Sequence, residues 1–146
     1  MSIASLGGVL KIFGGSEPTP EEQEQLAKEV MLMTLARATA ADTNIKQIEV
    51  ERVCQVLKER TGEDFPEADV RGAAQSAIYE KAPLDRYLTS SAKKLRPSDC
   101  LSIALALADV INADGRVSDY EITFYNNVAT SLGVTPAQLA GLESEE

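Results

Sequence analysis

The chain contains no histidine and no tryptophan, and only two of its 146 residues are cysteine. Without histidine, a serine or cysteine nucleophile lacks its usual imidazole base, and a zinc site loses one of its two main ligands. The sequence also has neither a P-loop nor a Gly-x-Gly-x-x-Gly loop for phosphates. We therefore predict a protein that is not an enzyme, and we rank a hydrolase working through carboxylates only third among the functions considered.

Long apolar runs are absent as well. No run reaches the length of about 20 residues that a membrane-spanning helix needs. The opening residues MSIASLGGVLKIFGG lack the apolar stretch and cleavage site of a signal peptide. From these observations we expect a cytoplasmic protein. The two cysteines, Cys54 and Cys100, lie in apolar helical surroundings, where we predict buried thiols rather than a metal site.

Basic residues are scarce: 14 Lys and Arg stand against 23 Asp and Glu, which gives a formal net charge of -9. This sign argues against nucleic acid as a partner, because such binding relies on Lys and Arg at the phosphates. It favours cations or basic protein surfaces. The one basic cluster is Lys93, Lys94 and Arg96, which is typical of a solvated helix end; contact with a phosphate or an acidic partner is the alternative.

Aromatic residues are only 5% of the chain although 44% of it is apolar, so small aliphatic side chains must fill the core. No segment alternates as a strand would, and the apolar residues recur at helical spacing. We predict an all-α bundle of about seven or eight helices, with the apolar run from Cys100 to Ile111 as its central buried helix. The predicted helix starts, read from capping residues and prolines, are Thr19, Lys46, Pro66, Pro83, Pro97, Ser118 and Thr135.

The predicted organisation has four parts. Residues 1-15 form an N-terminal amphipathic helix, 16-20 a linker, 21-142 the helical domain and 143-146 an acidic tail. The apolar face of the first helix consists of Ile3, Leu6, Leu10 and Phe13, which we predict to bind a partner. This helix either packs on the domain or on a twin subunit, or it is a peripheral anchor; its single lysine makes membrane binding weak.

Two stretches of the chain read almost alike: AADTNIKQIE at 40-49 and NADGRVSDYE at 112-121. Each contains Ala-Asp, an aliphatic residue three positions after the Asp, and a Glu seven positions after it. Adding 72 to a position in the first stretch gives its counterpart in the second, and the same offset matches Leu35 with Leu107. The likeness therefore covers a whole helical hairpin, and we predict two hairpins related by a pseudo-twofold axis.

The repeated acidic residues have a purely structural interpretation. An Asp in a turn between helices binds its own backbone, and a Glu at the third helical position caps amide groups. Ser118 and Glu121 form such a capping box. Glu49 fits this interpretation less well, because Lys46 occupies the capping position and is a poor N-cap.

A cation site is the functional interpretation of the same residues. Ca²⁺ and Mg²⁺ prefer oxygen ligands, and four pooled carboxylates could hold such an ion. The predicted ligands are Asp42, Glu49, Asp114 and Glu121. The spacing is not that of an EF-hand, because Arg116 and Asp119 occupy the places where an EF-hand loop has its second ligand and its glycine.

The stretch ADGRVSDYE after LALADVIN resembles the hallmark of the TerB-like family, that is, the tellurite-resistance TerB domain also found at the N-terminus of a DnaJ-type co-chaperone. The resemblance covers residues from about 21 to 142. The first hairpin departs from the family pattern, with Thr43 in place of Gly and Lys46 in place of Ser. The resemblance implies an all-helical pseudo-twofold fold, a role in tellurite or other stress responses, acidic metal ligands and membrane-associated protein partners.

Two functions thus compete. In the first, a non-enzymatic TerB-like domain binds a divalent cation or a protein partner through the duplicated Asp/Glu turns. In the second, the chain is a protein-interaction scaffold, with or without self-association, that works through its N-terminal helix, and the carboxylates are only structural.

Overall fold

The computed structural model describes residues 19-39, 46-75, 83-113 and 115-141. These residues form seven α-helices and no strand, which confirms the all-α prediction for the described part of the chain. The helices are α1 (Pro20–Thr39), α2 (Gln47–Thr61), α3 (Glu67–Ala74), α4 (Leu84–Ala92), α5 (Pro97–Asn112), α6 (Asp119–Leu132) and α7 (Pro136–Leu139).

The helix starts follow local capping chemistry. At α1, the Glu22 amide donates to Thr19 Oγ1 (3.2 Å) and the Thr19 amide donates to Glu22 Oε1 (2.8 Å). The same reciprocal arrangement joins Thr135 and Gln138 at α7. Each pair satisfies amide groups that a helix end otherwise leaves without partners. These starts were predicted correctly because the residues that fix them are within three positions of one another.

The core lies around α1, which contacts α2, α3, α4, α5 and α6. Every residue from Glu29 to Ala36 is buried, so this stretch is covered on all sides. The buried Thr34 satisfies its hydroxyl by donating to the Val30 carbonyl at 2.7 Å. The prediction that the central helix is α5 was therefore incomplete: α5 is apolar nearly all round, but only one side of it is fully buried.

The two repeated stretches lead into helices that begin at corresponding positions. Helices α1 and α2 form one hairpin, α5 and α6 form the other, and α1 packs against α5. Helix α2 begins at Gln47 and α6 at Asp119, which are counterparts in the repeat. Both helices end at a glycine in the left-handed conformation, Gly62 (φ 77°) and Gly133 (φ 74°). A side chain at either position would be strained, which explains why glycine ends both helices.

Helices α3, α4 and α7 complete the bundle. Helix α3 packs on α1 and α2, α4 packs on α6, and α7 contacts α5. An ion pair ties α2 to α5, with Arg60 Nη2 2.7 Å from Asp109 Oδ2. In the part of the chain that the structure describes, none of the helices has the length and apolar character to cross a bilayer.

Candidate functional site

A small cleft of about 50 Å³ lies where the two hairpins meet. The residues that line it come from the ends of α1 and α5 and from the starts of α2 and α6. Except for Tyr120, they form four pairs, and the two members of each pair are counterparts in the repeat. The pairs are Ala38 and Val110, Thr39 and Ile111, Glu49 and Glu121, and Arg52 and Phe124. The cleft is therefore lined by corresponding positions of the two repeated stretches and the helices before them.

Glu121 is held in place by the cap of α6. Its Oε1 accepts hydrogen bonds from the Ser118 amide at 2.9 Å and from the Ser118 hydroxyl at 3.0 Å, and its own amide donates to Ser118 Oγ at 3.1 Å. All of these carboxylate contacts use Oε1, so the cap does not involve Oε2. Glu121 is half-buried and lines the cleft at the same time. The capping box predicted from the sequence is confirmed.

Glu49 holds the equivalent place at the third position of α2. The N-cap residue Lys46 has extended backbone angles (φ -83°, ψ 140°) close to those of Ser118 (φ -83°, ψ 161°), but its side chain makes no capping hydrogen bond. The backbone of the first turn is still closed, because the amides of Glu49 and Val50 both donate to the Lys46 carbonyl at 3.1 Å. The first hairpin thus has a glutamate at the third helical position, but the side chain of its N-cap residue forms no cap.

The cleft combines charge with an apolar floor. Val110, Ile111 and Phe124 supply apolar surface, while Glu49 and Glu121 place two carboxylates on one small space. Two like charges in such a space repel each other unless a cation compensates them. Arg52 also lines the cleft and supplies one positive charge. Carboxylate oxygens are the ligand type that hard cations take, and an apolar floor is suited to the stem of a cationic side chain.

Of the four predicted metal ligands, the structure brings Glu49 and Glu121 together, although they belong to different hairpins. Asp42 and Asp114 lie outside the described residues. Within the described ranges, no group of three or more Cys, Asp or Glu side chains is placed to hold a metal ion. The metal assignment itself stays a prediction.

Two other sequence predictions have different outcomes. The predicted partner-binding residues Ile3, Leu6, Leu10 and Phe13 lie outside the described residues. The basic cluster lies between the end of α4 and the start of α5, and Arg96 Nε is 2.9 Å from Asp99 Oδ2. The Asp99 carboxylate raises the pKa of Arg96, through a hydrogen bond first and its charge second. This guanidinium has an acidic partner within the chain.

The two cysteines differ in burial. Cys100 is buried, as predicted, and its burial, followed by the charge of Asp99, raises the pKa of its thiol to about 11. Cys54 is only half-buried, against our prediction, because it lies between the core and the exposed face of α2. Burial and then the charges of Glu67 and Glu51 raise its pKa as well. Both thiols are weak nucleophiles near neutral pH.

Sequence reasoning missed Arg52, Phe124 and Tyr120 as residues of the cleft. The signal was available, because adding 72 to Arg52 gives Phe124 and adding 72 to Ile48 gives Tyr120. The sequence prediction of the site used only the acidic residues of the repeat. The pairs with unlike residues carry as much information, since they show how the two halves of the cleft differ.

Comparison with known proteins assigns the family. The family model described as tellurite resistance protein TerB matches residues 28–144, which covers most of the chain. Searches among curated proteins and solved structures give no match. The match includes the whole cleft, the second hairpin and the first hairpin from Lys28 onward, in agreement with the resemblance seen in ADGRVSDYE. The chain belongs to the TerB family of tellurite resistance proteins.

Proposed function

We propose that this TerB domain works without catalysis, in the response to tellurite or a related metal stress, by binding a divalent cation at the cleft between its two hairpins. One observation supports this proposal above all: Glu49 and Glu121 line the same cleft of about 50 Å³. That volume suits an ion with a few water molecules, since one water needs roughly 10–15 Å³ of such space.

The donor chemistry favours a hard cation. Carboxylate oxygens with water and backbone carbonyls are the ligands that Ca²⁺ and Mg²⁺ take, and neither histidine nor a pair of thiols is present here to favour zinc. Glu121 would bind through Oε2 while Oε1 stays in the cap of α6. Two carboxylates alone give a weak site, so we propose that Asp42 and Asp114 supply further oxygen ligands.

Thermal unfolding tests this proposal. The wild-type chain is unfolded in EDTA and then with Ca²⁺, Mg²⁺ or Mn²⁺. A ligand at 100 times its dissociation constant stabilises a protein by about 2.7 kcal/mol, which raises the midpoint by roughly 5–10 °C for a domain of this size. We expect one or more of these ions to produce such a shift.

Matched variants locate the site. Glu49→Gln and Glu121→Gln remove one charge each, and glutamine at the third helical position still completes a capping box, so the cap of α6 is kept. Glu59→Gln, an exposed glutamate at the far end of α2, is the control. The proposal requires that the shift be lost in both cleft variants and kept in Glu59→Gln. No shift with any ion, or a shift that survives both cleft changes, would refute it.

The scaffold function is the competing candidate. It treats the carboxylates as structural, and the cap formed by Glu121 supports that role for one of them. At Glu49 the capping box is incomplete, because the side chain of the N-cap residue Lys46 forms no cap. Deletion of residues 1-15 separates the two functions: loss of self-association or partner binding in this deletion, with the cleft variants unaffected, would favour the scaffold.

A further inference from the structure

Four large apolar side chains are exposed among the described residues: Ile48 (63%), Tyr120 (56%), Ile122 (47%) and Val117 (44%). All four lie in the first turn of α2 or at the start of α6. Ile48 and Tyr120 are counterparts in the repeat, and each directly precedes a cleft glutamate. The large exposed apolar side chains of the described chain therefore lie on the two segments that carry the cleft glutamates, rather than being scattered.

The cleft itself fits one kind of side chain. A lysine has a long apolar stem and a charged head, and such side chains bury the stem while the head stays with polar partners. Val110, Ile111 and Phe124 form a floor for the stem, and Glu49 and Glu121 offer carboxylates to the head. An ammonium group between two carboxylates makes charge-assisted hydrogen bonds, which are stronger than neutral ones.

The charge around the cleft favours the same partner. At the starts of α2 and α6 the carboxylates outnumber the cations, with Glu49, Glu51, Asp119 and Glu121 against Lys46, Arg52 and Arg116. The whole chain carries a formal net charge of -9. A basic partner segment is therefore attracted, whereas an acidic one is repelled.

We infer that the cleft is a docking site for a protein segment that inserts a lysine between Glu49 and Glu121 and packs apolar residues on Ile48 and Tyr120. This inference rests on the proposed cleft being a binding site, but it does not require a bound metal. A metal ion and the lysine would use the same carboxylates, so they would compete. The segment gains affinity from the apolar contacts and specificity from the buried charge pair.

The test uses the full chain as bait for random peptides displayed on phage, selected in EDTA. Enriched sequences are synthesised and their affinity is measured by fluorescence anisotropy. We expect the enriched peptides to share a lysine with apolar residues on both sides of it. Replacing that lysine by norleucine should weaken binding roughly tenfold, the loss that corresponds to about 1.4 kcal/mol.

Variants of the chain make the test specific. Glu121→Gln and Tyr120→Ser should each weaken binding roughly tenfold, while Glu59→Gln should leave it unchanged. Unfolding midpoints check that the variants fold, as expected for side chains at the surface. Peptides without a basic residue, peptides that bind both cleft variants as well as wild type, or the absence of any enriched peptide would each overturn the inference.

The outcome also separates this inference from the cation proposal. If a metal-dependent thermal shift is present and no lysine peptide is selected, only the docking inference fails. If lysine peptides bind and no ion changes the unfolding midpoint, only the cation proposal fails. If both ligands bind, saturating metal should lower the affinity of the peptide.

Discussion

Glu49 and Glu121 face one cleft from two different hairpins, each at the third position of its helix. Their positions are equivalent, but their surroundings are not: Glu121 is fixed by Ser118, and Glu49 has Lys46 at the corresponding place. Glu121 and the Ser118 side chain thus form a capping box, whereas the Lys46 side chain makes no capping hydrogen bond at the start of α2. Because of this difference, the capping role of a glutamate and its role in ligand binding can be measured separately.

The first prediction concerns the caps. Ser118→Ala removes the hydroxyl that accepts from the Glu121 amide, and it should destabilise the domain by about 1 kcal/mol. Lys46→Ser should have the opposite effect, because the backbone at Lys46 already has the conformation of an N-cap and Glu49 stands three residues later. Urea unfolding of both variants measures the two changes. Equal destabilisation by both would show that the starts of α2 and α6 are not equivalent.

The second prediction concerns Arg52. Its guanidinium lines the cleft and competes with any added cation for the carboxylates. Arg52→Gln should therefore tighten divalent cation binding, by a factor of roughly ten if the lost repulsion is about 1.4 kcal/mol. Calorimetric titration measures the change, and Arg86→Gln, an exposed arginine on α4, is the control. Weaker binding in Arg52→Gln would mean that Arg52 supports the site.

The third prediction follows from the raised pKa values of two thiols and one tyrosine hydroxyl. The pKa of Cys100 is raised to about 11, and those of Cys54 and Tyr125 are raised as well. In each case the folded state holds its proton to higher pH than the unfolded state does. The stabilisation is complete below the unfolded pKa, near 9 for a thiol, and is lost as the pH rises towards 11.

Cys100→Ala should therefore make the unfolding midpoint fall less steeply than that of the wild type between pH 9 and pH 11. The comparison is of slopes, so the constant cost of the lost thiol does not affect it. Both thiols should also react slowly with iodoacetamide at neutral pH in the folded protein. Parallel slopes for the two proteins would contradict the assignment of this loss to Cys100.

The fourth prediction compares buried and exposed members of the repeat. Leu35 and Leu107 are equivalent and fully buried on α1 and α5, so replacing either by alanine should cost about 2–5 kcal/mol. Ile48→Ala and Ile122→Ala should cost far less, about 0.5 kcal/mol, because both residues belong to the exposed surface of the described chain. Denaturant unfolding gives all four values. A large cost at Ile48 would mean that its side chain is covered in solution.

The parts of the fold that the sequence predicted correctly are those fixed by neighbouring residues. Thr19 with Glu22 and Ser118 with Glu121 determine helix starts within one turn. The constant offset between the two acidic stretches also predicted the paired hairpins. These features need no knowledge of how the helices pack.

The remaining features depend on packing between distant parts of the chain. The complete burial of the middle of α1 arises because five other helices surround it, and its own sequence does not reveal how many neighbours it has. Ile122 stands seven positions before the buried Ala129, a spacing that indicates one shared helix face, yet Ile122 is 47% exposed. Likewise, the meeting of Glu49 and Glu121 depends on how α1 packs against α5, which no local pattern fixes.

The most direct test of the central claim, that the two hairpins form one cation site, is paramagnetic relaxation by Mn²⁺ observed in the amide NMR spectrum. A single ion in the cleft should broaden the amides around Glu49 and those around Glu121 at the same concentration of Mn²⁺, and Glu121→Gln should abolish both effects together. Broadening of one hairpin alone, or of surface carboxylates distant from the cleft, would contradict the account.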